Sequence, residues 1–281
     1  MRFIFSTGSL WTYGIDRCFT FAAAAGFDGI ELMVDQRYDT RQADYVRVLI
    51  ERTGQPVIAV HSPFSPISPG WPPLDDEPGR IRASVALAES LGASVVVHHL
   101  PERYNHFPLV VGSKRFLVPR PGEGRNTRYR RWLETEYARV QATTHVLLCI
   151  ENMPARRPFG RRYNMHCWNA PPEIARFPHL TLDTTHLGTW GIDPVNVYNQ
   201  FGGNVRHVHL SNYDGREHRR PEAGRLHLDA LLVQMTRESY NGAVALELNP
   251  DALDAGSDDH HIIALLTESL RQCRAWVTLS D

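Results

Sequence analysis

The chain has 281 residues, 42% hydrophobic and 22% charged, with a formal net charge of -1. That length allows a large core in one domain or two, and the charge balance excludes a generally basic nucleic-acid binder. The four cysteines, Cys18, Cys149, Cys167 and Cys273, form no CxxC pair, which argues against a disulfide scaffold or a zinc knuckle.

In chain order, short β-rich runs alternate with longer helical patterns. A strand is expected over 2–6 and a helix over 16–25, stopped by Gly26. A second strand covers 29–34, a helix 41–52, and a third strand 56–61, with Pro56 at its permitted start. The proline-rich stretch 61–73 reads as loop, followed by a helix over 75–91 closed by Gly92. Strand four covers 94–98. A long insertion, 99–126, is rich in proline, glycine and arginine and is expected to be loop. A polar amphipathic helix over 127–144 follows, then strand five over 145–151 and a second long loop over 153–170. A short helix at 172–177 leads to strand six over 179–183. The remaining pattern is a helix at 194–201, strand seven at 205–210, a helix at 226–239, strand eight at 243–248 and a last helix at 259–277.

Eight strands alternating with about eight helices predict parallel topology. The apolar strands suit a sheet covered on both faces. The expected fold is therefore a single α/β domain over 1–281, a (β/α)₈ barrel with long loops after strands four and five. A doubly wound sheet is the competing topology. No apolar run approaches membrane-spanning length. The opening MRFIFSTGSLW reads as a strand rather than a signal peptide, so a cytoplasmic location is expected.

Five runs end in a charge or an imidazole: IAVHS at His61, SVVVHH at His98 and His99, LLCIEN at Glu151, LTLDTTH at Asp183, and VRHVHLS at His209. A sixth, VALELNP, places Glu247 late in strand eight. Repeated around a barrel, such endings define one rim, where the βα loops open and catalytic groups gather. Glu151, Asp183 and Glu247 are costly to bury without compensation. A divalent cation supplies it, and three carboxylates with the His209 imidazole suit Mn²⁺, Mg²⁺, Co²⁺ or Zn²⁺. A salt bridge or a capping role is the ordinary alternative for each carboxylate.

Around this set lie further candidates. His61 is a ligand or an acid/base group. Strand alternation turns one of His98 and His99 inward, and His98 is the preferred one. His186 follows Asp183 by three residues and reads as a second-ion ligand or a substrate contact, with Gly188 and Gly191 letting that loop turn closely around a ligand. His207 reads as a packed barrel histidine and Glu31 as structural. On the loop after strand seven, His218 can return to the rim and Arg216 can hold a hydroxyl-rich or anionic substrate. Asp214 shares that loop. Lys114 is the only lysine and the only Schiff-base candidate. The arginine-rich stretches around 112–131 and 155–164 are phosphate clamps or solvated faces. Trp11, Trp71, Trp168 and Trp190 fall near rim loops and read as sugar-stacking groups or barrel caps.

At these residues the chain resembles the xylose-isomerase-like TIM-barrel superfamily, which includes sugar isomerases and epimerases, inosose dehydratases and endonuclease IV. The landmarks are HSP at His61, IEN at Glu151, LDTTH at Asp183 to His186, HVHLSN at His209, HRRPEAG at His218 and ALELNP at Glu247. The resemblance to tagatose and psicose-type epimerases implies one divalent ion on Glu151, Asp183, His209 and Glu247. It implies that Glu151 and Glu247 are the catalytic pair, moving a proton on opposite substrate faces through an enediolate. His186 and Arg216 then match substrate-contacting positions, and His61, His98 and His218 complete that set. The expected function is metal-dependent isomerisation or epimerisation of a small sugar, cyclitol or sugar phosphate.

The resemblance to endonuclease IV implies the alternative, phosphodiester hydrolysis at a multinuclear zinc cluster that His61, His98, His186 and His218 would extend. Nucleic acid is a partner only under that alternative. HVHLSNYDG departs from the endonuclease's HLNDS pattern, and Glu217 adjoins His218 where an aspartate is expected. A third reading is a ligand-binding barrel without catalysis.

Overall fold

The computed structural model describes residues 1–67, 70–111, 114–120, 124–157 and 160–278, with backbone alone over 106–111 and 114–120. The strands are β1 (Arg2–Ser6), β2 (Ile30–Met33), β3 (Val57–His61), β4 (Val95–His99), β5 (Asn105–Val111), β6 (Lys114–Arg120), β7 (Leu147–Glu151), β8 (Leu180–Asp183), β9 (Val205–Leu210) and β10 (Ala243–Leu246). All but β5 and β6 are parallel and close into one eight-stranded barrel, with β10 pairing back onto β1. The barrel expected from the strand and helix alternation is the fold observed.

The helices are α1 (Ile15–Ala25), α2 (Ala43–Thr53), α3 (Glu77–Leu91), α4 (Arg125–Thr135), α5 (Tyr137–Gln141), α6 (Pro171–Ile174), α7 (Thr184–Trp190), α8 (Pro194–Phe201), α9 (Leu228–Arg237) and α10 (Asp259–Thr278). α1 shows why they form. Ile15, Cys18, Phe19 and Ala22 recur at helical spacing and are all buried. Gly26, at φ 85°, then ends the helix in the left-handed region, its N–H bonding the carbonyls of Ala22 and Ala23. Among the described residues, no helix is long and apolar enough to cross a membrane.

Alternation along the strands divides the barrel into two buried clusters. Ile4, Ala59, Val97, Cys149 and Ala245 belong to a small inner cluster. Phe5, Val60, Val96, Leu148 and Val244, each one position away, pack outward in the large core beneath the helices. A fully buried Val, Leu or Ile contributes about 1.5–3 kcal/mol relative to exposure. Two such layers let the strands end in charged groups without losing the barrel. The parity of the inner cluster carries His61, His99, Glu151 and Glu247 to the inner side at the C-terminal ends.

Three local expectations change. The insertion after β4 is not all loop, because β5 and β6 pair as an antiparallel hairpin. The helix expected over 127–144 breaks at Glu136, so that α4 and α5 meet there. The break sets Tyr137 against the barrel, where its hydroxyl donates to the carbonyl of Leu148. The segment after Asp183 is helix α7 rather than a loop folded around a ligand. Asp183 caps it by accepting from the His186 N–H at 2.7 Å. Gly188 lies inside α7 because Tyr213 packs where a Cβ would stand, 2.7 Å from the Tyr213 Cβ. Gly191, at φ 72°, is the C-cap. The side chain of Lys114, and parts of both arginine-rich stretches, lie outside the described residues.

Candidate metal centre

Four chemical groups converge from neighbouring barrel strands. Glu151 ends β7, Asp183 ends β8, His209 lies on β9, and Glu247 follows β10 by one residue. Register holds them level, with Asp183 opposite His209 and His209 opposite Ala245. Each offers a ligand atom within 4.8 Å of those of the other three. The His209 Nδ1 lies 2.9 Å from Glu247 Oε2, 3.2 Å from Glu151 Oε1 and 3.7 Å from Asp183 Oδ2. Its Nε2 lies 3.0 Å from Glu31 Oε2, which also takes His207 Nε2 at 2.7 Å. Glu31, His207 and His209 are all fully buried.

The donor set fits a cation. If Nε2–H donates to Glu31, a neutral His209 turns its Nδ1 lone pair toward three carboxylates. If Nδ1 carries a proton, that proton satisfies one of the three. Glu151 Oε2 and Asp183 Oδ2 are buried with no hydrogen-bond partner. The His99 and His61 Nε2 atoms lie 3.1 and 3.4 Å from that Glu151 oxygen, but neither contact is aligned as a hydrogen bond. Buried, unpartnered carboxylate oxygens around one imidazole could hold a divalent ion. Glu31 behind His209 stands where an outer carboxylate would fix a ligand imidazole and raise its basicity.

Electrostatics point the same way. Burial pushes the Glu151 carboxyl up, but His209, with His61 and His99, holds it well below the usual carboxylate range. Glu247 is likewise raised by burial and brought down to about 2 by His209 and His218. Burial lowers His209, and Glu31, Glu247 and Glu151 outweigh it and keep the imidazole well above its ordinary value. The negative potential that raises His209 would equally draw a divalent cation to this place, and such a cation would replace any proton on Nδ1.

The cavity over this centre has a volume of about 360 Å³, and His61, His99, His186 and His218 reach its wall. His186 Nδ1 lies 2.8 Å from the carbonyl of Asn152 and 3.5 Å from Asp183 Oδ2. Asp183, His186 and His218 form a second group with metal-ligand spacing, and His61, Glu151 and His209 a third. His218 adopts φ 57°, rare for a residue with a side chain, held by its N–H on Thr185 Oγ1 at 3.1 Å.

Two expected site residues lie elsewhere. His98 points outward with Val96, and its Nδ1 meets the Tyr129 hydroxyl at 2.7 Å. That hydroxyl donates to the carbonyl of His99, so His98 is the donor in the pair. Burial in apolar surroundings lowers the His98 pKa to about 3. His99 is the inward member, paired in register with Glu151. Arg216 is 63% exposed and forms ion pairs with Asp214 at 3.2 Å and Asp251 at 3.4 Å, away from the cavity. Arg156, which the sequence did not single out individually, does line it, as do Glu102 and Glu217. Among the tryptophans, Trp190 donates to the carbonyl of Met153, Trp168 carries the Arg176 guanidinium 4.1 Å above its ring, Trp71 packs on the core and Trp11 stays 51% exposed.

Solved structures share this architecture over their full length. A D-tagatose 3-epimerase-like protein superposes with TM-score 0.66 at 18% identity, covering 100% of this chain and 98% of its own. The 3-keto-D-glucoside 4-epimerase of E. coli gives 0.67 at 17%, covering 98% and 99%. An uncharacterized protein of Mycobacterium leprae is 28% identical over 97% of this chain and 96% of its own length. The family model described as xylose isomerase-like TIM barrel matches residues 19–273, and the chain belongs to that family.

Proposed function

We propose that this protein is a divalent-metal-dependent isomerase or epimerase acting on a small sugar, cyclitol or sugar phosphate. The observation that supports the reading is the approach of Glu151 and Glu247 to the same His209 Nδ1, at 3.2 and 2.9 Å, with Asp183 completing the donor set. The names of the similar solved structures, several of them sugar epimerases, support the substrate class. Glu151, Asp183, His209 and Glu247 would hold one ion, Mn²⁺, Mg²⁺ or Co²⁺ by donor type. Such an ion would supply positive charge that stabilises an oxyanion developing on the substrate.

The chain's own groups do the rest. Glu151 and Glu247, both held ionised, are the bases that take and return a carbon-bound proton. His186, anchored through Nδ1 on the Asn152 carbonyl, turns its other nitrogen to the cavity and binds a substrate hydroxyl. His61 and His218 bound the same space. Exchange of a substrate C–H proton with deuterated solvent tests the mechanism. Glu151→Gln should lower exchange by about 10²–10⁴-fold, and retained exchange would remove Glu151 as the base.

One observation favours a second reading, a multinuclear hydrolase of phosphodiesters. The His61 and His99 Nε2 atoms both lie within 3.4 Å of Glu151 Oε2, and Asp183, His186 and His218 form a further group. Zn²⁺ suits such a histidine-rich set. Hydrolysis of a phosphodiester by the zinc-loaded protein, without C–H exchange on any sugar, would establish it over the first reading.

A further inference from the structure

The rim cavity does not end at the candidate ligands. A second cavity of about 510 Å³ opens beside it, and the two share Phe64, His218 and Glu247 as walls. Trp11, Met33 and Leu248 also line the second cavity. Trp11 and Phe64 are each 51% exposed, unusual for such large apolar side chains unless something covers them. Phe64 is fixed as the partition: its ring stacks on His99 at 4.9 Å and 17°, and His99 reaches Glu151 at 3.1 Å.

The charge in this second lobe is already committed. Arg37 lies 2.5 Å from Asp35 and also donates to the carbonyls of Thr7, Leu10 and Tyr13. It has no donors to spare for a phosphate or carboxylate. The remaining charged wall, Glu247, belongs to the candidate metal set. The lobe therefore suits a neutral ring that can lie flat on an aromatic face. Each cavity alone falls in the range of about 300–1,000 Å³ for a small-molecule site, so the pair accommodates two ring-sized groups.

We infer that the substrate is a neutral two-ring glycoside: the reacting sugar, which keeps a ketone beside the C–H that loses its proton, occupies the lobe over Glu151 and Glu247, and a linked sugar or aromatic aglycone lies between Trp11 and Phe64. The inference rests on the sugar isomerase reading and narrows its substrate class. Free monosaccharides would then bind weakly because half of the cleft stays empty.

Calorimetric titration of the metal-loaded protein tests it with matched sets of hexose and pentose glycosides that carry one ring ketone: methyl glycosides, phenyl glycosides and disaccharides. For at least one sugar, the phenyl glycoside or the disaccharide should bind about tenfold tighter than the methyl glycoside, and Trp11→Ala should collapse that ratio toward one. The arm that gains identifies the second ring as aromatic or carbohydrate. Equal affinities across all three sets, binding by none of them, or a preference untouched in both Trp11→Ala and Phe64→Ala would overturn the inference. C–H exchange, measured separately, keeps the two readings apart. Exchange without ring preference sinks the two-lobe inference alone, and ring preference without exchange sinks the isomerase alone.

Discussion

Glu31 on β2 and His209 on β9 meet across the barrel interior, Oε2 to Nε2 at 3.0 Å, with neither side chain exposed. The contact fixes which His209 nitrogen faces the three carboxylates at the rim. It would also make His209 a stronger ligand to a metal, because an ionised partner on Nε2 raises electron density at Nδ1. Glu31→Gln preserves shape and removes that charge. We expect metal affinity to fall by about 10- to 100-fold, read by competition with a chelating indicator. Unchanged affinity would reduce Glu31 to barrel filling.

The two groupings around Glu151 differ in the number of ions they predict. Under the isomerase reading the purified, metal-loaded protein holds one equivalent, and His99→Asn leaves that count at one. Elemental analysis of both proteins measures this directly. Two or three equivalents in the parent chain, with one lost in His99→Asn, would move the assignment to the hydrolase.

Much of this rim was legible because strand ends carry charges that apolar strands cannot otherwise tolerate. Glu151, Asp183, His209 and Glu247 stand out in sequence for that reason. What sequence did not settle was parity. His98 and His99 are adjacent, and only pairing with β7 decides that Val97 and His99 share the inner side with Cys149 and Glu151. Glu31 carried no rim signal because its role depends on His209, 178 residues away. The partners of Arg216 were equally hidden: which loop acids it meets, Asp214 and Asp251, depends on how that loop folds. Helix α7 was hidden by its two glycines, which serve packing and capping rather than loop freedom.

His98 and His166 predict acid sensitivity. Burial is the first cause in both, lowering His98 to about 3 and His166 to about 4. Each is neutral when folded and has an ordinary value near 6.5 when unfolded. Between those values the unfolded chain binds more protons, so stability falls as pH drops. The stabilising contribution is complete above about pH 6.5 and is lost progressively toward pH 4 and then 3. Within that window each histidine costs up to about 1.4 kcal/mol per pH unit. Denaturant midpoints measured from pH 7 to pH 4 should fall, and the fall should be shallower in His98→Gln. Equal slopes in the two proteins would mean that His98 is not the neutral buried group described.

The last prediction concerns how α7 presents its chemistry. Gly188 packs so closely that an added Cβ would stand 2.7 Å from the Tyr213 Cβ and 2.9 Å from its Cγ. Those atoms lie at the base of the side chain and cannot swing away, so the helix or the Tyr213 loop must move. Gly188→Ala gains about 1 kcal/mol of helix propensity and loses about 1–3 kcal/mol to overpacking. The net change in stability is small, at most about 2 kcal/mol of loss by these magnitudes. Its effect on the site is larger, because α7 begins at the Asp183 cap and carries His186 within its first turn. A shift of that helix pulls both groups from their places beside Glu151. We expect metal affinity and C–H exchange to fall several-fold more than the denaturant midpoint implies. A variant with parental affinity and exchange would show that the contact between Gly188 and Tyr213 does not position the site.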